Sequence, residues 1–271
     1  MRIGISSCGK PLKRELFAEY RSAGVECIEI SEGYSAQDSI SFPDLKKWSE
    51  EYGVEIWSYH LPFAPFGILE PSVKELAPKT VSYFDEIMGR ASEIGIGKFI
   101  VHPSGEPIDP SDRAMRIEVT KESLCSLAEI AKGYGVTVAV ENLPRTCLGK
   151  DSSEMLELVS AHPGLGICFD TNHLLAEDHE SFIRAVGDRI VTTHISDYDF
   201  VDERHWLPGE GKVDWQSLYS ALNRAGYSGA WMYELGYLAP KTLLRSRPLY
   251  ARDFVRNAEA IFAAVEIPRV G

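Results

Sequence analysis

Short apolar runs recur along this chain, and seven of the eight end on a residue that can bind a divalent cation or move a proton. They are CIEI near Glu29, EIWSYH at His60, KFIVHP at His102, VTVAVEN at Glu141, LGICFDTNH at Asp170 and His173, IVTTHIS at His194 and AWMYEL at Glu234. Most follow an amphipathic helical stretch and a glycine, as in SAGVECIEI, KGYGVTVAVEN and RAGYSGAWMYEL. With the opening MRIGIS, the pattern predicts strands at about 2–6, 25–30, 54–60, 98–102, 136–141, 165–170, 189–195 and 229–234. Their starts are separated by about the length of one strand-helix unit. The runs are apolar without clean alternation, as strands buried on both faces should be. In a parallel barrel such strand ends converge on one mouth, so the expected fold is a single (β/α)8 TIM barrel.

Helix signals fill the intervals. Asp151 and Glu154 open DSSEMLELVSAH like a capping box, and Asp214 caps DWQSLYSALNRAG before Gly226 stops it. Long helices are predicted at about 72–95 and 111–133, with Pro78 delaying or kinking the first. Residues 196–213 form a long polar loop directly after a strand, a candidate wall or lid of an active site. The closing stretch 240–266 is expected to be helical, packed on the outside of the barrel or on a second subunit of a homo-oligomer.

At 271 residues without an evident linker, the chain is expected to be one domain over 1–271. A net charge of -12 and a pI near 5.1 give a field that repels phosphodiesters and anionic membranes, which argues against nucleic acid as a partner. The five cysteines, at 8, 27, 125, 147 and 168, contain no CxxC pair, a pattern of reduced thiols that points to the cytoplasm. MRIGISSCGK is expected to be a first strand rather than a signal peptide, and no apolar stretch approaches the roughly 18 residues of a spanning helix.

The strongest constellation is Glu141, Asp170, His194 and Glu234, which end four consecutive apolar strands. Three carboxylates and one imidazole suit Mn²⁺, Mg²⁺ or Co²⁺ and are usable by Zn²⁺. Buried together without a cation or proton they would repel one another, so packing alone does not account for them. His173 follows Asp170 by three residues in DTNH, a spacing that lets both face one cavity for a second metal, a substrate hydroxyl or a hydrogen bond to a ligand. His60 and His102 each stand just before a turn set by Pro62 or Pro103. Glu203 and His205 share a face if their loop is extended, and both glycines of the following PGEG turn accept positive φ and close approach to a ligand. Trp57, Phe63, Phe66, Trp206 and Tyr237 are candidates for an apolar wall against a sugar, with core packing as the alternative; Glu29 reads as a paired charge.

With ENLP at 141–144, CFDTNH at 168–173, HISD at 194–197, HWLPGEG at 205–211 and YEL at 233–235, nearly the whole chain resembles the xylose isomerase-like TIM-barrel superfamily. This superfamily groups sugar isomerases and epimerases with endonuclease IV. The resemblance to its ketose epimerases implies one divalent metal on Glu141, Asp170, His194 and Glu234, the two glutamates as proton-transfer pair, and His173 on substrate. Polarisation of a carbonyl and its neighbouring hydroxyl would acidify the intervening proton, and the glutamates would move it by way of an enediolate. The substrate is then a small keto sugar or derivative, with or without phosphate; epimerisation and isomerisation stay open. Endonuclease IV is resembled at His60, His102, Glu141, Asp170, His173, His194, His205 and Glu234, where it holds three zinc ions. That pattern has aspartate in place of Glu203, and the acidic composition here argues against DNA. An inosose dehydratase-like lyase, and a barrel that binds metal and sugar without turnover, are the remaining alternatives.

Overall fold

The computed structural model describes residues 1–8, 10–63 and 67–270. Eight strands, β1 (Arg2–Ser6), β2 (Cys27–Ser31), β3 (Glu55–His60), β4 (Lys98–Val101), β5 (Thr137–Glu141), β6 (Gly166–Asp170), β7 (Ile190–His194) and β8 (Ala230–Tyr233), pair in parallel in the order β7-β6-β5-β4-β3-β2-β1-β8. The ring closes where Ile195 bridges to Tyr233, its amide donating to the Met232 carbonyl at 2.8 Å. Helices α1 (Arg14–Ala23), α2 (Phe42–Tyr52), α3 (Ala77–Ser92), α4 (Arg113–Tyr134), α5 (Ser152–Val159), α6 (His179–Val186) and α7 (Trp215–Arg224) lie between successive strands, and α8 (Ala251–Phe262) follows β8. Among the described residues no helix is long and apolar enough to cross a membrane.

Two apolar compartments explain why the strands read as continuous runs. Bulky outward residues such as Ile28, Ile30, Phe99, Val140, Phe169 and Tyr233 join one cluster with the helices. Apolar residues of mixed size fill the barrel interior in two separate groups: Cys27, Trp57, Ala230 and Met232, then Ile100, Ala139 and Cys168. Alternation is therefore present, hidden because the inner residues are apolar like the outer ones. Two residues beyond an interior residue lies the same face, so Cys27, Ile100, Ala139, Cys168 and Met232 place Glu29, His102, Glu141, Asp170 and Glu234 inward at the C-terminal mouth.

Several expectations change in detail. The helix predicted from residue 72 begins at Ala77, with Pro78 in its first turn, where a missing amide hydrogen leaves no bond unmade. Asp151 accepts the Glu154 amide at 3.0 Å, yet Glu154 does not close a reciprocal box. Its carboxylate instead takes Arg113 through two contacts of 2.6 Å and the Gly149 amide at 2.7 Å, because a charge-assisted pair outcompetes a backbone donor. In the stretch 240–266 only Ala251–Phe262 is helical. Pro240 and Pro248 interrupt the rest, and Arg245, its side chain 1% exposed, inserts against Glu210 in the loop after β7.

Candidate active site

Five elements aim their final inward side chains at one point. His194 Nδ1 lies 2.9 Å from Glu141 Oε1, 3.3 Å from Glu234 Oε2 and 3.8 Å from Asp170 Oδ2. Donor atoms of these four residues all lie within 4.8 Å of one another. The expected constellation of Glu141, Asp170, His194 and Glu234 is thus a single cluster. Glu141, Asp170 and His194 are fully buried, whereas Glu234 keeps 14% of its side chain exposed. On the far side of the imidazole, His194 Nε2 meets the buried Glu29 at 3.0 Å.

The β3 and β4 histidines converge on the other oxygen of Glu141. His60 Nε2 lies 3.2 Å and His102 Nε2 3.0 Å from Oε2, and the His60 Nδ1–H is placed to donate to the Leu61 carbonyl at 2.9 Å. Burial pushes the Glu141 carboxyl up, but His194 and His102 more than offset it and hold the group well below the usual carboxylate range. Burial would lower His60, and its hydrogen bond and charge interaction with Glu141 instead raise it to about 9. Asp170 goes the opposite way: burial pushes its carboxyl well up, and the neighbouring Glu141 and Glu234 add to the shift.

A second group stands over the cluster. His173 takes position from the Asn142 carbonyl at 3.0 Å and reaches Glu203 through Nε2 at 3.2 Å. His173, Glu203 and His205 offer three donor atoms within 4.8 Å. The His173 contact is the main influence holding Glu203 down at about 2, and Arg145 adds to it at 2.8 Å. Arg145 also pairs with Glu106 and Asp202, tying the loops after β4, β5 and β7 together. Arg145 and His205 both line the cavity and both have positive φ, 53° and 50°, a conformation that costs a non-glycine residue roughly 1 kcal/mol or more and tends to persist at functional sites.

A cavity of about 410 Å³ opens over these groups. Glu141, Glu234, His102, His173, Glu203 and His205 line its polar end, and Phe63, Leu69, Phe84, Leu143 and Cys147 line the remainder. Of the expected aromatic wall, Phe63 is present, 65% exposed and stacked on His102 at 4.6 Å. Trp57 is not at the mouth. It lies three residues before His60, near the opposite barrel end, beneath Arg2 and Lys98 at 4.3 and 3.5 Å, with its indole N–H on Thr192. Trp206 turns away to Thr242, and Tyr237 packs into the core against Tyr20, so neither lines the cavity. Phe66 lies outside the described residues.

The PGEG turn also serves a different end from the one expected. It wraps the buried Asp197, whose carboxylate accepts the amides of Gly209 at 2.8 Å, Gly211 at 3.0 Å and Val213 at 3.2 Å, and the Trp215 indole at 2.9 Å. Only Gly209 has positive φ, at 94°. Gly211 is needed for close approach, since a Cβ there would overlap the Asp197 carboxylate and the Tyr198 carbonyl. Gly211→Ala should therefore destabilise the fold by about 1–3 kcal/mol, read as a lower denaturation midpoint by calorimetry.

Charged residues at strand ends were visible in the sequence; their neutral and loop partners were missed. Asn142 and Asp170 exchange bonds of 2.7 and 2.9 Å that lock the ends of β5 and β6 together. Asn172 receives the amide of Arg204 at 2.9 Å and so fixes the loop that carries His205. Both asparagines sit inside the ENLP and DTNH segments, a signal that could have found them.

The donor set fits a divalent cation. Asp170 Oδ2 is buried without a hydrogen-bond partner, directed into a cluster already holding Glu141 and Glu234. An orphaned oxygen among like charges is an unfavourable arrangement that a hard cation relieves.

A parallel eight-stranded barrel with acids and imidazoles gathered at its C-terminal mouth defines the class of protein. The chain belongs to the xylose isomerase-like TIM barrel family, which it matches over residues 17–252. It is 27% identical to the inosose isomerase of Bacillus velezensis over 57% of this chain and 59% of that protein. It is 30% identical to the fructoselysine 3-epimerase of Escherichia coli O157:H7, with 52% of each chain covered. These two matches span little more than half the length of either relative. The crystal structure of a D-tagatose 3-epimerase-like protein superposes with a TM-score of 0.82 over 98% of both chains, at 24% identity.

Proposed function

We propose that this chain is a divalent-metal-dependent epimerase or isomerase of a small keto sugar or sugar derivative, with or without a phosphate. The observation that supports it best is the pair Glu141 and Glu234, set three strands apart yet both within 3.3 Å of one imidazole nitrogen and both open to the cavity. Glu141, Asp170, His194 and Glu234 would hold the cation, and when bound it would polarise a substrate carbonyl and the adjacent hydroxyl.

The chain's own groups supply the proton transfers. One glutamate removes the proton from the carbon next to the carbonyl; the C–H electron pair becomes the double bond of a planar enediolate. The other returns a proton to that carbon from the opposite face, which inverts it. Return to the neighbouring carbon gives isomerisation instead. Glu141 suits the role of base, because His194, His102 and His60 keep it ionised in a buried site. His102, His173 and His205 face the same cavity and are placed to take sugar hydroxyls. The named activities of the inosose isomerase and the fructoselysine 3-epimerase are consistent with this chemistry.

A panel of ketoses, polyols and their phosphates in deuterated water with Mn²⁺ or Co²⁺ tests the proposal. Deuterium should enter at the carbon beside the carbonyl of at least one ketose, together with its epimer or aldose. No incorporation from any member of the panel would overturn it.

One observation favours a second reading, a multi-metal phosphodiesterase. His173, Glu203 and His205 form a separate donor group, and His60 and His102 flank Glu141, so side chains for further cations are present. Against it, Glu203 is already neutralised by Arg145, and the chain is strongly acidic. Elemental analysis of protein purified without chelators should find about one metal per chain; about three zinc, with cleavage of abasic-site DNA, would select the phosphodiesterase.

A further inference from the structure

We propose that Glu29 is the positioning residue that decides which nitrogen of His194 faces the cation site, an inference that rests on the metal-dependent function above. Glu29 lies on β2, two residues beyond the interior Cys27, and has no exposed surface. Its two oxygens lie 3.0 and 3.2 Å from His194 Nε2, and Ser58 Oγ on β3 donates to Oε2 at 2.7 Å. His194 is clamped from a third side by His60, whose ring stacks on it at 5.7 Å and 12°.

The consequence follows from donor and acceptor rules. An ionised carboxylate only accepts, so Glu29 fixes a proton on Nε2; the proton that Nδ1 shares with Glu141 at 2.9 Å is then the one a cation displaces, which frees the Nδ1 lone pair for coordination among Glu141, Asp170 and Glu234. The negative charge behind the ring also makes Nδ1 a stronger donor to a cation. Packing alone gives no reason for an acid here. Cys27 occupies the preceding inward position of the same strand as a small apolar residue, and a buried carboxylate is tolerated only when a partner compensates it.

Glu29→Gln preserves the size of the side chain and changes the rule. The amide NH2 donates to Nε2 as readily as the amide oxygen accepts from it, and donation moves the imidazole proton to Nδ1, where it blocks coordination. Full-length protein stripped with chelator and titrated with Mn²⁺ or Co²⁺ by calorimetry should show a Kd raised about 10- to 100-fold over wild type. Glu29→Asp, which keeps the charge but withdraws it by one methylene, should fall between the two. Ser58→Ala should weaken binding less than either, since Glu29 keeps its contact with His194.

A residue that served only packing would lower the melting temperature of the stripped protein and leave the Kd where it was. Should Glu29→Gln fail to fold, Glu29→Asp decides by the same measurement. Wild-type binding with an unchanged Kd in the folded variants overturns the role of Glu29 and leaves the metal site standing. Absence of binding by the wild type overturns both.

Discussion

Glu234→Gln is expected to slow exchange of the substrate hydrogen beside the carbonyl by about 10²- to 10⁴-fold, the usual share of a positioned acid or base. The amide keeps the size of the side chain and can still offer an oxygen toward the site, but it cannot shuttle a proton. Glu234 is the most open of the four clustered residues, with 14% of its side chain exposed, and its backbone amide is held independently by the Ile195 carbonyl at 3.2 Å. The fold should therefore survive with little change in melting temperature. Glu141→Gln should lose at least as much exchange and should also destabilise the protein, because Glu141 compensates His60, His102 and His194 in a fully buried setting. Deuterium incorporation followed by NMR, with metal content measured on the same samples, separates lost proton transfer from lost metal. Both variants exchanging at the wild-type rate would remove the two-glutamate scheme.

The barrel was legible because its evidence is repeated: each unit carries a helix, a glycine and an apolar strand, and each strand ends on chemistry. The inward direction of those ends was not legible, because both faces of each strand are apolar, and it emerges only from the interior clusters of the folded barrel. Misplaced residues fall where that repetition gives no purchase. Trp57 belongs to the right strand and points into the barrel, but three residues separate it from His60 at the mouth, a difference in depth that residue type does not reveal. The Gly-rich turn looked like a ligand cradle because a turn built to enclose a carboxylate has the same sequence whether the carboxylate is a ligand's or the protein's own Asp197. Arg145 and Glu106 were invisible as site residues, since only the fold brings the loops after β4, β5 and β7 together. Glu29 is a paired charge whose partner, His194 on β7, is distant in sequence and is found only through the fold.

Asp170→Asn should move stability and metal binding in opposite directions. In the wild type, Oδ1 accepts the Asn172 amide at 2.6 Å, while Oδ2 is buried with no partner and faces Glu141 and Glu234. Burial and those two carboxylates hold the Asp170 carboxyl well above its unfolded value, so at neutral pH the unfolded chain releases this proton more readily than the folded one does. That raised acid group therefore weakens the metal-stripped fold as pH rises through the unfolded pKa, and an uncharged amide removes the penalty. The asparagine NH2 also gives the neighbouring carboxylates a donor that requires no proton uptake on folding. Stripped Asp170→Asn should thus be more stable than stripped wild type by about 1–3 kcal/mol, the magnitude of relieving one unsatisfied buried polar group. Its affinity for Mn²⁺ or Co²⁺ should fall by at least about 100-fold, since loss of a direct ligand exceeds the 10- to 100-fold effect typical of residues behind the ligands. Thermal melts with and without metal check both halves at once: the variant should melt higher than wild type in chelator and gain little when metal is added, whereas wild type should gain much. A variant that melts lower in chelator yet still responds fully to metal would mean that Asp170 is a structural acid and that the cation, if bound, sits elsewhere.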